Sequence, residues 1–124
     1  MYQYKADILR IIDGDTVEAR IDQGLHTHRV EKLRLSSIDA PEKYQQGGAE
    51  ATDWLKFNIG KQENGDYNHV YIETEKQDKF GRWLAWIFKT QNEMKIGEYG
   101  DSLNIRMVRE GYAKVYHGGK RSKK

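Results

Sequence analysis

The sequence contains no cysteine and only one proline, Pro41, among its 124 residues. Without thiols, neither a disulfide framework nor a thiolate metal site is possible, so any metal must be held by oxygen or nitrogen ligands. A lone proline rules out a Pro-rich linker, and no internal repeat divides the chain. Long apolar runs are missing as well. Hydrophobic residues make up 37%, mean hydropathy is -0.93, and no stretch is long enough to span a membrane. The opening Met1-Tyr2-Gln3-Tyr4-Lys5 carries no apolar segment behind a basic start, so it does not read as a signal peptide. The expected location is the cytoplasm by default, with secretion of a processed form left open. Excess charge of one sign is also scarce. Lys and Arg number 21 against 19 Asp and Glu, a net +2 that does not by itself argue for a nucleic-acid partner.

Aromatic residues, by contrast, are plentiful. Three Trp, eight Tyr and three Phe lie along periodic segments, which argues against disorder despite the low hydrophobic fraction. The length fits one domain with one modest core. That domain is expected over residues 1–116, followed by a basic, flexible tail over 117–124 ending Lys120-Arg121-Ser122-Lys123-Lys124. Such a tail either touches phosphates or serves only as a solubilising end.

Residues 4–12 read as a strand, with Tyr4, Ala6, Ile8 and Ile12 on one parity, and Asp13-Gly14 gives a turn signal. Val17, Ala19 and Ile21 then alternate with polar residues, and residues 28–36 form a third strand around Val30, Leu33 and Leu35. From residue 48 to 59 the period changes. Ala51, Trp54, Leu55 and Ile59 fall at helical spacing, with Gly60 as a stop. Residues 69–74 alternate as a strand, and Trp83-Leu84-Ala85-Trp86-Ile87-Phe88 reads as a strand buried on both faces. Residues 90–100 read as a long loop, and Asp101 or Ser102 can cap a second helix that runs to Glu110. The expected architecture is α+β, mainly β: a five-stranded OB-fold barrel with one helix after the third strand and a second near the C-terminus. The three tryptophans are expected in the core. Of the four histidines, His26, His28, His69 and His117, no pair sits at helical metal spacing.

Three short stretches concentrate polar groups beside strands: Ile12-Asp13-Gly14-Asp15-Thr16-Val17, Leu33-Arg34-Leu35-Ser36-Ser37-Ile38-Asp39-Ala40-Pro41-Glu42, and Asp78-Lys79-Phe80-Gly81-Arg82. Singly, each has a plain explanation. Asp15 beside Asp-Gly and Asp39 near Pro41 are turn chemistry, Glu42 is a solvated loop acid, and Arg34 and Arg82 are surface or edge charges.

Together with Met107-Val108-Arg109-Glu110-Gly111-Tyr112-Ala113-Lys114-Val115, these stretches resemble the staphylococcal nuclease (thermonuclease) family, in its motif order and over roughly residues 4–116. The resemblance implies calcium bound by Asp15 and Asp39 with the backbone carbonyl of Ala40. It implies Glu42 as the base that activates water, and Arg34 and Arg82 as the groups that hold the scissile phosphate. Lys79, Phe80, Tyr112 and Tyr116 are the implied substrate contacts. The implied activity is cleavage of DNA and RNA, leaving a 3′-phosphate and a 5′-hydroxyl; single strands are the expected preference, and a monomer is the simplest expectation for this size. The rival expectation is a catalytically silent OB-fold module that only binds nucleic acid. The sequence departs from the family at Ala40, where threonine is common, and at Phe80, where tyrosine is common. The family's long terminal helix is also expected to be missing after Tyr116.

The chemistry fits independently of the resemblance. Two carboxylates and a carbonyl suit a hard cation. A nearby glutamate can take a proton from water, and an arginine fork grips two phosphate oxygens at once.

Overall fold

Alternating apolar residues along the first three strands dictate a sheet with one buried face, and the sheet closes on itself. The computed structural model describes residues 2–116, and the basic tail and His117 lie outside these described residues. Strand β1 (Tyr2–Asp13) pairs antiparallel with β2 (Thr16–Asp22), and β2 pairs antiparallel with β3 (His28–Leu35). A short β4 (Ile38–Asp39) follows, then helix α1 (Gly48–Ile59), β5 (His69–Gln77) and β6 (Trp83–Phe88). The barrel closes in the order β1-β2-β3-β6-β5, with β3 and β6 parallel and every other pair antiparallel. This mixed five-stranded barrel is OB-fold-like, as expected. Helix α2 (Gln91–Ile96), a 3-10 turn over Tyr99–Asp101, helix α3 (Leu103–Arg109) and β7 (Lys114–Val115) complete the described chain.

The core is built from the inward parity of each strand: Ala6 and Ile8, Val17, Ala19 and Ile21, Leu33 and Leu35, Val70 and Ile72, Ala85 and Ile87. Helix α1 closes one end with Ala51, Trp54, Leu55 and Ile59, and α3 adds Leu103 and Met107. Fully burying each large aliphatic side chain contributes roughly 1.5–3 kcal/mol.

Two expectations need correction. Ile11 rather than Ile12 enters the core, because β1 carries a register irregularity between Ile8 and Arg10 that flips its parity. Residues 90–100 are not a plain loop. Thr90 caps α2 by accepting a hydrogen bond from the Glu93 amide at 3.1 Å, and α2 buries Met94 against Trp86 and Phe88. This makes α3, capped by Ser102, the third helix rather than the second.

The same contact explains why β6 is apolar on both parities. Ala85 and Ile87 face the barrel, while Trp86 and Phe88 face a second cluster beneath α2, completed by Tyr71, Tyr99 and Ile105. Beside it, the Tyr99 hydroxyl donates to Glu73 Oε2 at 2.5 Å. That bond, with burial and the negative charges of Glu73 and Glu75, pushes the phenol up to about 12.

Candidate functional site

A two-residue turn, Gly14-Asp15, joins β1 to β2 and is wedged against α1. A Cβ on Gly14 would sit 2.8 Å from the Ala51 Cβ and 3.1 Å from the Ala40 Cβ, so only glycine allows this approach. The wedge buries Asp15 to 4% exposure. Its Oδ2 accepts the Ala40 amide at 2.8 Å and lies 3.2 Å from Arg34 Nη1, and its Oδ1 accepts the Thr16 hydroxyl at 3.1 Å.

Arg34 alternates with Leu33 and Leu35 and so points away from the barrel interior, which would ordinarily make it a surface residue. It is only 6% exposed. The tight turn at Ser36-Ser37, with Ser37 at φ 64°, folds β4 back over it, and the Tyr116 amide fixes that turn by donating to the Ser37 carbonyl at 2.8 Å. Arg34 Nη1 donates to the carbonyls of Leu35 and Ile38 at 3.1 and 2.9 Å, and Nη2 lies 3.4 Å from Asp39 Oδ1. One guanidinium therefore serves two carboxylates, and the cluster of Asp15, Arg34 and Asp39 holds one more acid than base. Burial pushes the Asp15 carboxyl above its ordinary value despite the Arg34 charge and the Ala40 and Thr16 hydrogen bonds, and the Asp39 charge adds to the rise.

Ala40 and Pro41 carry the chain from this cluster to Glu42, which is exposed and makes no side-chain hydrogen bond or ion pair among the described residues. Its backbone, however, is pinned. The Glu42 amide donates to Gln45 Oε1 at 2.9 Å, the Gln45 amide donates back to the Glu42 carbonyl at 2.9 Å, and Asp13 Oδ1 accepts the Lys43 amide at 2.8 Å. The first residue of α1 packs directly on this loop: a Cβ on Gly48 would fall 1.7 Å from the Glu42 carbonyl oxygen.

Arg82 stands two residues before Leu84, the register partner of Arg34 across the parallel β3–β6 pair, so by alternation it shares the outer sheet face with Arg34. The two arginines are not in direct contact. Arg82 instead rests on Asp78, whose Oδ2 takes the Arg82 Nε at 2.9 Å and Nη2 at 2.9 Å, while its Oδ1 accepts the amides of Phe80 and Arg82 at 2.9 and 3.0 Å. Phe80, 71% exposed, is flanked by Lys79 Nζ at 5.4 Å and by the Arg82 guanidinium at 5.3 Å from its ring centroid.

Burial works against ionisation of Asp78, but these donors outweigh it and hold the carboxyl below its ordinary value of 3.8. A depressed value in the folded state stabilises the fold above pH 3.8, and that contribution is lost as pH falls through the folded value. Asp78→Asn is therefore expected to lower stability at neutral pH by roughly 1–2 kcal/mol. Thermal melts should show the gap to wild type closing in acid. A gap that does not change with pH would mean the carboxylate charge has no part in holding the turn.

Tyr112 lies against Trp54, ring centroids 6.1 Å apart, beyond the C-terminus of α3. Tyr116 follows β7, in which Lys114 pairs with Asp39. Tyr112 thus packs on α1, and Tyr116 follows the strand that pairs with Asp39. Sequence reading missed Asp13 and Gln45, which brace the Glu42 loop, and Asn104. Fully buried on α3, Asn104 donates to the carbonyls of Ser36 and Ala85 at 2.9 and 3.0 Å and accepts the Ile87 amide at 3.0 Å. A polar residue between Leu103 and Ile105 at the start of an apolar helix was the available signal. Among the described residues, no group of three or more His, Asp or Glu side chains is arranged to hold a metal. The acidic pair Asp15 and Asp39 is smaller than such a cluster.

The staphylococcal nuclease homologue family matches residues 32–124. Protein ParB of Escherichia coli is 29% identical over 118 residues, covering 94% of this chain and 60% of that protein. Endonuclease YhcR of Bacillus subtilis is 30% identical over 125 residues, covering 92% of this chain and 9% of that protein. Micrococcal nuclease of Shigella flexneri is 27% identical over 113 residues, covering 91% of this chain and 59% of that protein. This chain therefore spans 60% or less of the length of these three relatives. With the family match running through β3, the Glu42 loop, the Asp78 turn and α3, the chain belongs to the staphylococcal nuclease homologue family.

Proposed function

We propose that this domain is a calcium-dependent nuclease that hydrolyses phosphodiester bonds of DNA and RNA, single strands in preference to duplexes, as a monomer. The observation that carries the reading is the Asp15–Arg34–Asp39 cluster, with Asp15 and Arg34 buried and Asp39 half-buried, set beside a braced loop that leaves the Glu42 carboxylate open. A module that only binds nucleic acid has no use for acids gathered where phosphate must lie, since they repel it unless a cation intervenes. Names of the relatives, endonuclease and micrococcal nuclease among them, point the same way.

The donors fit calcium. Asp15 and Asp39 offer hard oxygens, and Ala40 brings a backbone carbonyl next to Asp39 in the chain. Those three residues would hold the ion, which when bound supplies Lewis acidity toward a phosphate oxygen and toward water.

The chain's own residues do the rest. Glu42 accepts a proton from the attacking water as its oxygen bonds to phosphorus. Arg34 and Arg82 hold the non-bridging oxygens as charge grows on them. The bond to the 5′-oxygen breaks, that oxygen takes a proton from solvent water and leaves as a hydroxyl, and the phosphate stays on the 3′ side. Lys79, Phe80, Tyr112 and Tyr116 flank this reaction as substrate contacts.

End analysis of the products tests the reading. After digestion of a single-stranded oligonucleotide in calcium, new 5′ ends should accept a kinase label without prior phosphatase treatment. Fragments that need phosphatase first would contradict the proposed direction of attack.

A further inference from the structure

Four residues, Glu42-Lys43-Tyr44-Gln45, form the turn that follows the acidic cluster, and Tyr44 at its third position is 94% exposed. The turn is closed twice between Glu42 and Gln45, by the amide-to-carbonyl bond at 2.9 Å and by the Gln45 side chain accepting the Glu42 amide at 2.9 Å. It is tied to β1 through Asp13 and to the start of α1 through the Gly48 amide, which donates to the Gln45 carbonyl at 2.9 Å. Tyr44 itself makes no hydrogen bond or ring contact among the described residues. A rigid backbone thus presents an aromatic ring with both faces open, two residues from Glu42. Holding it there in advance removes most of the ordering penalty a ligand would otherwise meet.

The ligand chemistry follows from the ring and its place. An open aromatic face beside a phosphodiester-binding cluster offers stacking to a nucleobase, which is insensitive to base identity because every base has a π-face. A base can lie flat on this ring only if it is free of its own neighbours, so the contact selects unpaired strands. We propose that Tyr44 forms a base-stacking subsite for an unpaired nucleobase flanking the scissile phosphate, and that this subsite sets the preference for single strands. The inference rests on the nuclease reading for the position of the phosphate.

The experiment measures fluorescence anisotropy of a labelled single-stranded oligonucleotide bound in calcium to Glu42→Gln protein, with and without Tyr44→Ala or Tyr44→Phe. Parallel oligonucleotides carry one abasic position, moved stepwise along the strand. Tyr44→Ala is expected to weaken binding about 5- to 100-fold, and Tyr44→Phe to stay within about twofold. One abasic position should reproduce the Tyr44→Ala loss, with no further loss when the two are combined. Unchanged affinity in Tyr44→Ala, or an equal loss on every abasic strand, would overturn the subsite. Cleavage by wild-type protein is followed on the same strands. Tyr44-dependent binding without cleavage would refute the nuclease reading and support the subsite, whereas cleavage with Tyr44-independent binding would refute the subsite alone.

Discussion

Glu42→Gln is expected to lower turnover by about 10²–10⁴-fold, the usual range for loss of a general base, while leaving the melting temperature unchanged. The two halves of that expectation have different origins. Glu42 is exposed and its carboxylate holds nothing in place, whereas the loop around it is secured by the Glu42 amide, Gln45 and Asp13, none of which the substitution touches. Glutamine keeps the shape and loses only the ability to take a proton at neutral pH. Substrate affinity should hold or improve, because one negative charge near the phosphate has gone. Turnover close to wild type would remove Glu42 as the base. A lower melting temperature would show that the carboxylate braces the loop after all.

Arg34→Ala should strike both stability and activity. Removing one partner of a buried ion pair typically costs about 3–5 kcal/mol, because the other charge is left uncompensated. Here Asp15 would lose the guanidinium 3.2 Å away, Asp39 would lose the same group 3.4 Å away, and the carbonyls of Leu35 and Ile38 would lose a shared donor. Turnover should fall by roughly 10²–10³-fold, as in other sites that lose a donor to developing charge. A second substitution separates the two effects. In Arg34→Ala with Asp15→Asn the stranded charge is gone, so denaturant midpoints should recover most of the stability while activity stays lost. If stability does not recover, the damage lies in the β3–β4 turn rather than in the Asp15 charge. Recovered activity would mean that neither residue takes part in the reaction.

How much of this was legible in the sequence depended on the range of the interaction involved. Helix α1 was readable, because the spacing of Ala51, Trp54, Leu55 and Ile59 and the Gly60 stop are local signals. The meander and the doubly buried β6 were readable for the same reason. The element that explains β6's second buried face was not. Helix α2 has six residues, only Met94 of them buried, and its reason for existing is the surface of Trp86 and Phe88 that it covers. A register irregularity in β1 likewise hides from a period count that assumes strict alternation.

The site divides along the same line. Asp15, Arg34, Asp39, Glu42 and Arg82 stood out because their motifs are short and ordered along the chain. The burial of Arg34 did not, since alternation alone puts it on the outer face and only the fold-back of β4 covers it. Asp13, Gln45, Asn104 and Asp78 have plain local readings as turn, loop or helix residues. Their work is to hold the Glu42 loop, the Ser36 turn and Arg82, and in Asp13 and Asn104 it reaches across long stretches of sequence. The reversal at Ser36-Ser37 matters for a further reason. It delivers Asp39 to Arg34 and Ala40 to Asp15 within a few residues, so one backbone turn assembles the acidic cluster and points the chain toward Glu42.

The most direct test of the central claim is cleavage of a single-stranded oligonucleotide under three conditions: wild-type protein with calcium, wild-type protein with chelator, and Glu42→Gln protein with calcium. Cutting in the first condition, and its loss in the other two, is the predicted result. Binding that weakens with salt but yields no products in any condition would contradict the account and leave a nucleic-acid-binding module in place of an enzyme.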